Sequence, residues 1–106
     1  MANQHVLDRL CATIAARRTA DPEQSYTAKL LGEGVERCAK KFGEEAVETA
    51  LAAVKGDKTA VANEAADVLY HLLVLLAAAG VEPGEVYAVL AAREGRSGLD
   101  EKASRR

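Results

Sequence analysis

Apolar residues recur at three- and four-residue spacing along most of the chain, which is the pattern of amphipathic helices. The first run predicts a helix from about Asn3 to Arg18, ended by Asp21-Pro22. Its apolar positions are Val6, Leu7, Leu10, Ile14 and Ala15. The segment "SYTAKLLGEG" follows, and we expect it to turn across a surface because Gly32 and Gly34 argue against one continuous helix.

Three more helices follow. The second is predicted from about Val35 to Val54, with Gly56 as its stop, and Asp57 can cap a third that runs to about Ala79 before Gly80. Pro83 stands where a further helix begins, and that helix ends near Arg93. Residues 1–94 are therefore predicted to form one all-α domain, and residues 95–106 a polar tail.

Composition narrows the fold class. The chain has 106 residues, near the lower limit for a self-sufficient core, and is 49% hydrophobic but only 4% aromatic. The core is therefore expected to be built from Ala, Leu and Val. Since Val68–Ala79 has little polar face beyond Tyr70 and His71, we predict an all-α bundle of about four helices that is completed by homodimerisation.

Charge and cysteine usage exclude several function classes. A net charge of −2 gives no general basic field for nucleic acid. Cys11 and Cys38 lie far apart without a CxxC pattern, and no charged leader precedes an apolar signal core, so a cytoplasmic protein is expected. The most apolar run, Leu72–Ala79, is much shorter than the roughly 20 residues that span a bilayer, so no membrane partner is expected.

Acidic residues stand inside two of the predicted helices. Glu44, Glu45 and Glu48 fall within an arc of roughly 100° on the second, and Glu64 and Asp67 lie about 60° apart on the third. If these helices pack antiparallel across "KGDKT", the two acidic faces can meet.

The alternative interpretation is a solvated helix face. Lys40 and Lys41 can pair with Glu44 and Glu45, but no basic residue stands at helical spacing from Glu64 or Asp67, nor ahead of Glu48. Burying unpaired carboxylates costs several kcal/mol, so a bound cation is expected.

Oxygen ligands favour a hard cation, Mg²⁺ or Mn²⁺, bound together with substrate phosphates. Zinc is disfavoured, and a di-iron bundle would need two Glu-x-x-His pairs, whereas the chain has only His5 and His71. His71 lies one turn after Asp67 and could orient that carboxylate. A buried histidine with satisfied hydrogen bonds is the interpretation that the sequence favours for it.

Glu44, Glu45 and Glu48 form EExxE, and Glu64 with Asp67 forms ExxD. This pair of motifs resembles the signature of the MazG-like, all-α nucleoside triphosphate pyrophosphohydrolases. The wider text "SYTAKLLGEGVERCAKKFGEEAVETALAA", "NEAADVLYHLLVLL" and "SGLDEKASRR" resembles the phosphoribosyl-ATP pyrophosphohydrolase family of histidine biosynthesis over nearly the whole chain. The resemblance implies Mg²⁺-dependent hydrolysis of phosphoribosyl-ATP to phosphoribosyl-AMP and pyrophosphate, and agrees with a homodimer.

By similarity, the metal ligands are Glu45, Glu48, Glu64 and Asp67. Glu44 either completes the set or positions the attacking water, so Glu44 and Glu45 are the candidate catalytic residues. Lys29, Lys40 and Lys41 are candidates for contacting substrate phosphates, with solvated lysines as the alternative.

Two rival functions remain open at this point. One is a house-cleaning nucleotide pyrophosphatase with the same metal site but a canonical or damaged dNTP as substrate. The other is a non-catalytic helical dimerisation module whose acids are exposed or bind a partner's basic surface.

Overall fold

The computed structural model describes residues 2–95 and Gly98, with side chains from Val6 onward. Its helices are α1 (Ala2–Arg17), α2 (Tyr26–Glu33), α3 (Val35–Lys55), α4 (Lys58–Ala79) and α5 (Pro83–Arg93). No strand occurs in these described residues, so the all-α prediction is confirmed. Apart from Gly95 and Gly98, the predicted polar tail of residues 95–106 lies outside the described part.

Helices α3 and α4 form a hairpin with a two-residue connection. Gly56 adopts the left-handed conformation (φ +77°), and its N–H closes the last turn of α3 on the carbonyls of Ala52 and Ala53. The Asp57 carboxylate then caps α4 by accepting a hydrogen bond from the Ala60 N–H at 3.0 Å. The two helices pack along each other in the most extensive helix contact of the fold.

The expectation for "SYTAKLLGEG" is wrong, because this segment contains α2. The Ser25 hydroxyl caps the helix by accepting a hydrogen bond from the Ala28 N–H at 3.1 Å. Gly32 costs a helix about 1 kcal/mol, but fully burying a leucine contributes about 1.5–3 kcal/mol, and Leu30 is only 1% exposed. Within the described residues, the bundle therefore has five helices where about four were predicted.

Gly34 separates α2 from α3. Its backbone angles, φ +97° and ψ 174°, are accessible to glycine and strained for other residues. The predicted interruption of this segment is confirmed at Gly34, although it follows a helix, α2, instead of lying within a surface turn.

The core lies where α1, α2, α3 and α4 meet. Its cluster of buried side chains consists of Ile14, Leu30, Cys38, Leu73 and Val74. The Cys38 thiol donates a hydrogen bond to the Leu30 carbonyl at 3.3 Å, which ties α3 to α2. Helix α5 contributes no buried residue.

Helix α4 begins well before the most apolar run, Leu72–Ala79, which forms its C-terminal part. Of the helices in the described part of the chain, it is the one that is long and apolar enough to cross a membrane, by length and composition only. Core helices of soluble proteins pass the same test, and α4 packs against α1, α2 and α3.

Candidate metal centre

The α3–α4 hairpin brings acidic side chains of both helices together. One carboxylate oxygen each from Glu45, Glu48 and Glu64 lies within 4.8 Å of the others. We call these three residues the carboxylate cluster. Its members come from both predicted motifs, so the two acidic helix faces do meet.

The carboxylate cluster is short of positive charge. The Oε2 atoms of Glu45 and Glu64 are buried and receive no hydrogen bond from any described group. Burial, followed by the nearby Glu48 carboxylate, raises the pKa of Glu45 to about 7. The same two causes raise the pKa of Glu64. Buried carboxylate oxygens without donors are what a bound cation would satisfy.

Asp67 lies at the edge of the cluster. It is exposed and is not among the three residues whose oxygens lie within 4.8 Å of one another, yet its charge raises the pKa of both Glu45 and Glu64. Its surroundings differ from the packing positions that the sequence suggested, since Ala66 and Leu69 are exposed in the single chain.

Glu44 and Glu45 are adjacent in sequence but differ in environment. The Glu44 carboxylate pairs with the Lys41 ammonium at 3.5 Å, and the Glu44 side chain is 47% exposed. The predicted pairing of Lys41 with the acids is therefore present at Glu44. An open cleft runs beside both acids and is lined by Lys41, Gly43, Glu44, Glu45, Val47 and Glu48. Lys40 and Lys29 are exposed, and Lys29 lines a separate cleft at the start of α2.

His71 is 6% exposed, and its ring contacts Tyr70 edge-on at a centroid distance of 4.9 Å. Its Nδ1 atom has no hydrogen-bond partner among the described residues, so the expectation of a fully satisfied histidine fails at this atom. Burial, followed by the Lys41 charge, lowers the pKa of His71, while Asp67 and Glu44 act in the opposite direction. The imidazole therefore lies within electrostatic reach of the acids.

Sequence reasoning missed a group of residues that joins α2 to α4. The hydroxyls of Thr27 and Tyr70 share a hydrogen bond of 2.5 Å, although the residues stand 43 positions apart. The ring of Tyr26 lies against Tyr70 and His71. No local spacing connects these residues, so only the packing of α2 could reveal them.

The residues present fit a hard divalent cation. The candidate ligands are all carboxylates, whose oxygens suit Mg²⁺ and Mn²⁺, and Glu45 and Glu64 each have one buried oxygen, Oε2, without a donor. Glu45, Glu48 and Glu64 could hold such an ion, with Asp67 close enough to bear on it electrostatically.

Known proteins that are similar to this chain in sequence belong to one family. The family model described as "Phosphoribosyl-ATP pyrophosphohydrolase" matches residues 7–94. A protein of Cereibacter sphaeroides named phosphoribosyl-ATP pyrophosphatase is 64% identical over 100 residues, covering 94% of this chain and 97% of that protein. Proteins with the same name from Dinoroseobacter shibae (65% identical over 100 residues; 94% and 98% covered) and Parvibaculum lavamentivorans (61% over 104; 98% and 95%) are similar to the chain. Matched over almost its whole described length and bringing Glu45 and Glu48 of one motif together with Glu64 of the other, the chain belongs to the phosphoribosyl-ATP pyrophosphohydrolase family.

Proposed function

We propose that the protein hydrolyses phosphoribosyl-ATP to phosphoribosyl-AMP and pyrophosphate, the second step of histidine biosynthesis, in the cytoplasm. Family membership and the names of its relatives support this substrate. The structural observation that carries the proposal is the carboxylate cluster, with ligand oxygens from two helices within 4.8 Å.

The cluster would hold Mg²⁺ or Mn²⁺ through Glu45, Glu48 and Glu64, with Asp67 completing the set from the edge. When bound, the ion neutralises phosphate charge and acts as a Lewis acid on the phosphoryl group. The buried Oε2 atoms of Glu45 and Glu64, which lack donors, support this assignment.

Glu44 and Glu45 are the residues that we assign to the attacking water. Glu44 lies on the cleft outside the carboxylate cluster, so its carboxylate is available to position a water molecule. Glu45 combines metal binding with a second carboxylate oxygen that could accept the proton. Attack of the water on phosphorus breaks the bond between the α and β phosphates, and pyrophosphate leaves.

Lysines on α2 and α3 would bind the phosphates. Lys41 lines the cleft beside the carboxylate cluster and is already held there by Glu44. Lys40 and Lys29 are exposed and would need no desolvation of a buried ammonium to reach a phosphate. His71 would act through Asp67, one turn earlier on α4.

A homodimer is part of the proposal. The radius of gyration, 15.7 Å, exceeds the roughly 13 Å typical of a domain of about 100 residues. Several apolar side chains on α3 are exposed, including Val54 at 85%. A second copy that covers them would complete the core.

The experiment that tests the function compares pyrophosphate release from phosphoribosyl-ATP with release from a panel of dNTPs. We expect phosphoribosyl-ATP to be preferred, with activity in Mg²⁺ or Mn²⁺ and little in Ca²⁺, whose longer and looser coordination suits phosphoryl chemistry poorly. A preference for a dNTP would favour the house-cleaning function. Full activity in excess chelator would refute the metal assignment, and no release from any nucleotide would favour the dimerisation module.

A further inference from the structure

An aromatic surface, formed by Tyr26 over Tyr70 and His71, lies where α2 packs against α4. Tyr26 is 50% exposed, and its ring is offset-stacked on Tyr70 with centroids 6.4 Å apart and planes 20° from parallel. The ring of His71 meets Tyr26 nearly at right angles, with centroids 6.2 Å apart. A large ring that is half exposed while resting on two other rings is suited to stacking against a flat ligand.

The two chain neighbours of Tyr26 fix the position of its ring through hydrogen bonds. Ser25 caps α2 immediately before Tyr26, which fixes the start of the helix. The neighbouring Thr27 is 9% exposed and shares its hydroxyl hydrogen bond with Tyr70. Tyr26 is therefore presented on a helix that is anchored to α4, the helix that carries Glu64 and Asp67.

The aromatic surface and the acids share one face of α4. Glu64, Asp67 and His71 stand at three- and four-residue spacing, so they form one stripe along the helix. Seven residues separate Glu64 from His71, which is about 10 Å along the axis. That length is of the order that separates a nucleobase from the phosphates of the same nucleotide. Asp67 stands one turn before His71 on α4, so the acids and the aromatic surface occupy adjoining turns of the same helix.

We propose that Tyr26 is the base-stacking residue of the site, binding the purine of the nucleotide whose phosphates lie at the carboxylate cluster. The inference rests on the proposed nucleotide chemistry and adds to it the residue that recognises the base. Stacking on Tyr26 places the base over α2 and directs the phosphates toward Asp67 and Glu64.

The test separates the base from the rest of the nucleotide. Binding of adenosine monophosphate and of ribose 5-phosphate is measured by calorimetry in Mg²⁺ for the parent and for Tyr26→Ala. We expect the parent to bind adenosine monophosphate more tightly than ribose 5-phosphate. Tyr26→Ala is expected to weaken that binding about tenfold, which is within the usual range for one base–aromatic stack, and to leave ribose 5-phosphate binding within about twofold.

Two further variants show whether the aromatic ring itself is responsible. Tyr87→Ala removes a tyrosine of similar exposure, 43%, on α5, and is expected to change neither affinity. Tyr26→Phe keeps the ring and is expected to restore most of the base-dependent affinity, whereas Tyr26→Leu is expected to restore little.

The proposal would be overturned if the parent did not prefer adenosine monophosphate to ribose 5-phosphate, or if Tyr26→Ala kept that preference. It would also be overturned if Tyr26→Leu bound adenosine monophosphate as tightly as Tyr26→Phe. Loss of dimer mass in Tyr26→Ala by light scattering would assign the ring to the subunit interface instead. Failure of the proposed function would appear separately, as a parent that binds the monophosphate through Tyr26 but releases no pyrophosphate from phosphoribosyl-ATP.

Discussion

Glu48 lies among carboxylates of like charge, so its own charge is expected to destabilise the metal-free folded protein. Without a cation, the oxygens of Glu45, Glu48 and Glu64 crowd within 4.8 Å, so neutralising one of them relieves repulsion. We predict that Glu48→Gln leaves the metal-free protein as stable as the parent or more so. The same substitution should abolish turnover and most of the Mg²⁺-dependent rise in melting temperature, because a ligand for the ion is lost.

Melting curves in chelator and in Mg²⁺ measure both effects. Asp67→Asn is expected to behave in the same way, with a smaller gain in metal-free stability because Asp67 lies outside the 4.8 Å group. Glu33→Gln serves as the control, since Glu33 forms only an exposed pair with Arg37 at 3.5 Å on another part of the surface. A metal-free protein clearly destabilised by both Glu48→Gln and Asp67→Asn would contradict this account, because structural hydrogen-bond acceptors leave their partners unsatisfied when removed.

The raised pKa of Glu45 predicts how pH acts on the metal-free protein. Its folded-state value is about 7, above the 4.5 of an unperturbed glutamate, so the folded chain binds more protons than the unfolded chain between these values. The contribution of Glu45 to the free energy of unfolding is therefore greatest below about pH 4.5 and falls as pH rises through about 7.

This pH dependence is measured as the melting temperature of the parent minus that of Glu45→Gln, in chelator, at about pH 5 and about pH 8. We expect the difference to become less favourable to the parent at the higher pH. A difference that grows in the parent's favour as pH rises would mean that Glu45 is stabilised as a carboxylate in the folded chain.

At the scale of the helices, the α2–α3 junction depends on Gly34. Its φ of +97° with ψ 174° is strained for any residue with a Cβ atom, although the added atom itself meets nothing within 4 Å. We predict that Gly34→Ala lowers the free energy of unfolding by about 1–3 kcal/mol.

Gly32 supplies the matched control, because it lies inside α2 and an added Cβ also meets nothing within 4 Å. Gly32→Ala is expected to raise the free energy of unfolding by about 0.5–1 kcal/mol, since alanine loses less backbone entropy in a helix. Urea denaturation measures both variants. Equal effects of the two substitutions would show that backbone conformation does not distinguish the two positions.

At the scale of the whole molecule, an apolar stripe on α3 is exposed to solvent. Val47, Leu51 and Val54 stand at helical spacing and are 59%, 55% and 85% exposed. We predict that the protein is a dimer at micromolar concentration and that Leu51→Asp reduces its mass by light scattering to that of one chain, because a buried carboxylate without a partner disfavours the interface.

Leu90→Asp is the control for this prediction, since Leu90 on α5 is similarly exposed at 57%. It should leave the dimer intact. A parent of single-chain mass would remove the dimer from the proposed function, and dissociation by Leu90→Asp alone would move the interface from α3 to α5.

Local signals in the sequence determined most of the helix boundaries. Gly56, Asp57, Gly80 and Pro83 act through their own backbone conformation or through a neighbouring N–H group, so α3, α4 and α5 could be predicted closely without knowledge of the rest of the chain. The acids of α3 and α4 could be identified for the same reason, because helical periodicity places them on shared faces. Their roles as metal ligands remain predictions.

Only the tertiary structure decided what depends on contacts between distant residues. Ser25 is a local signal for the start of a helix, whereas the glycines of the same segment argue against one, and the burial of Leu30 in the core decides between them. Packing of α4 against α3 also distinguishes Glu45, in the carboxylate cluster, from Glu44, on the cleft with Lys41. The two are adjacent, but one residue turns a helix by about 100°. Which of them faces α4 is therefore set by the partner helix, and so is the meeting of Tyr26 with Tyr70.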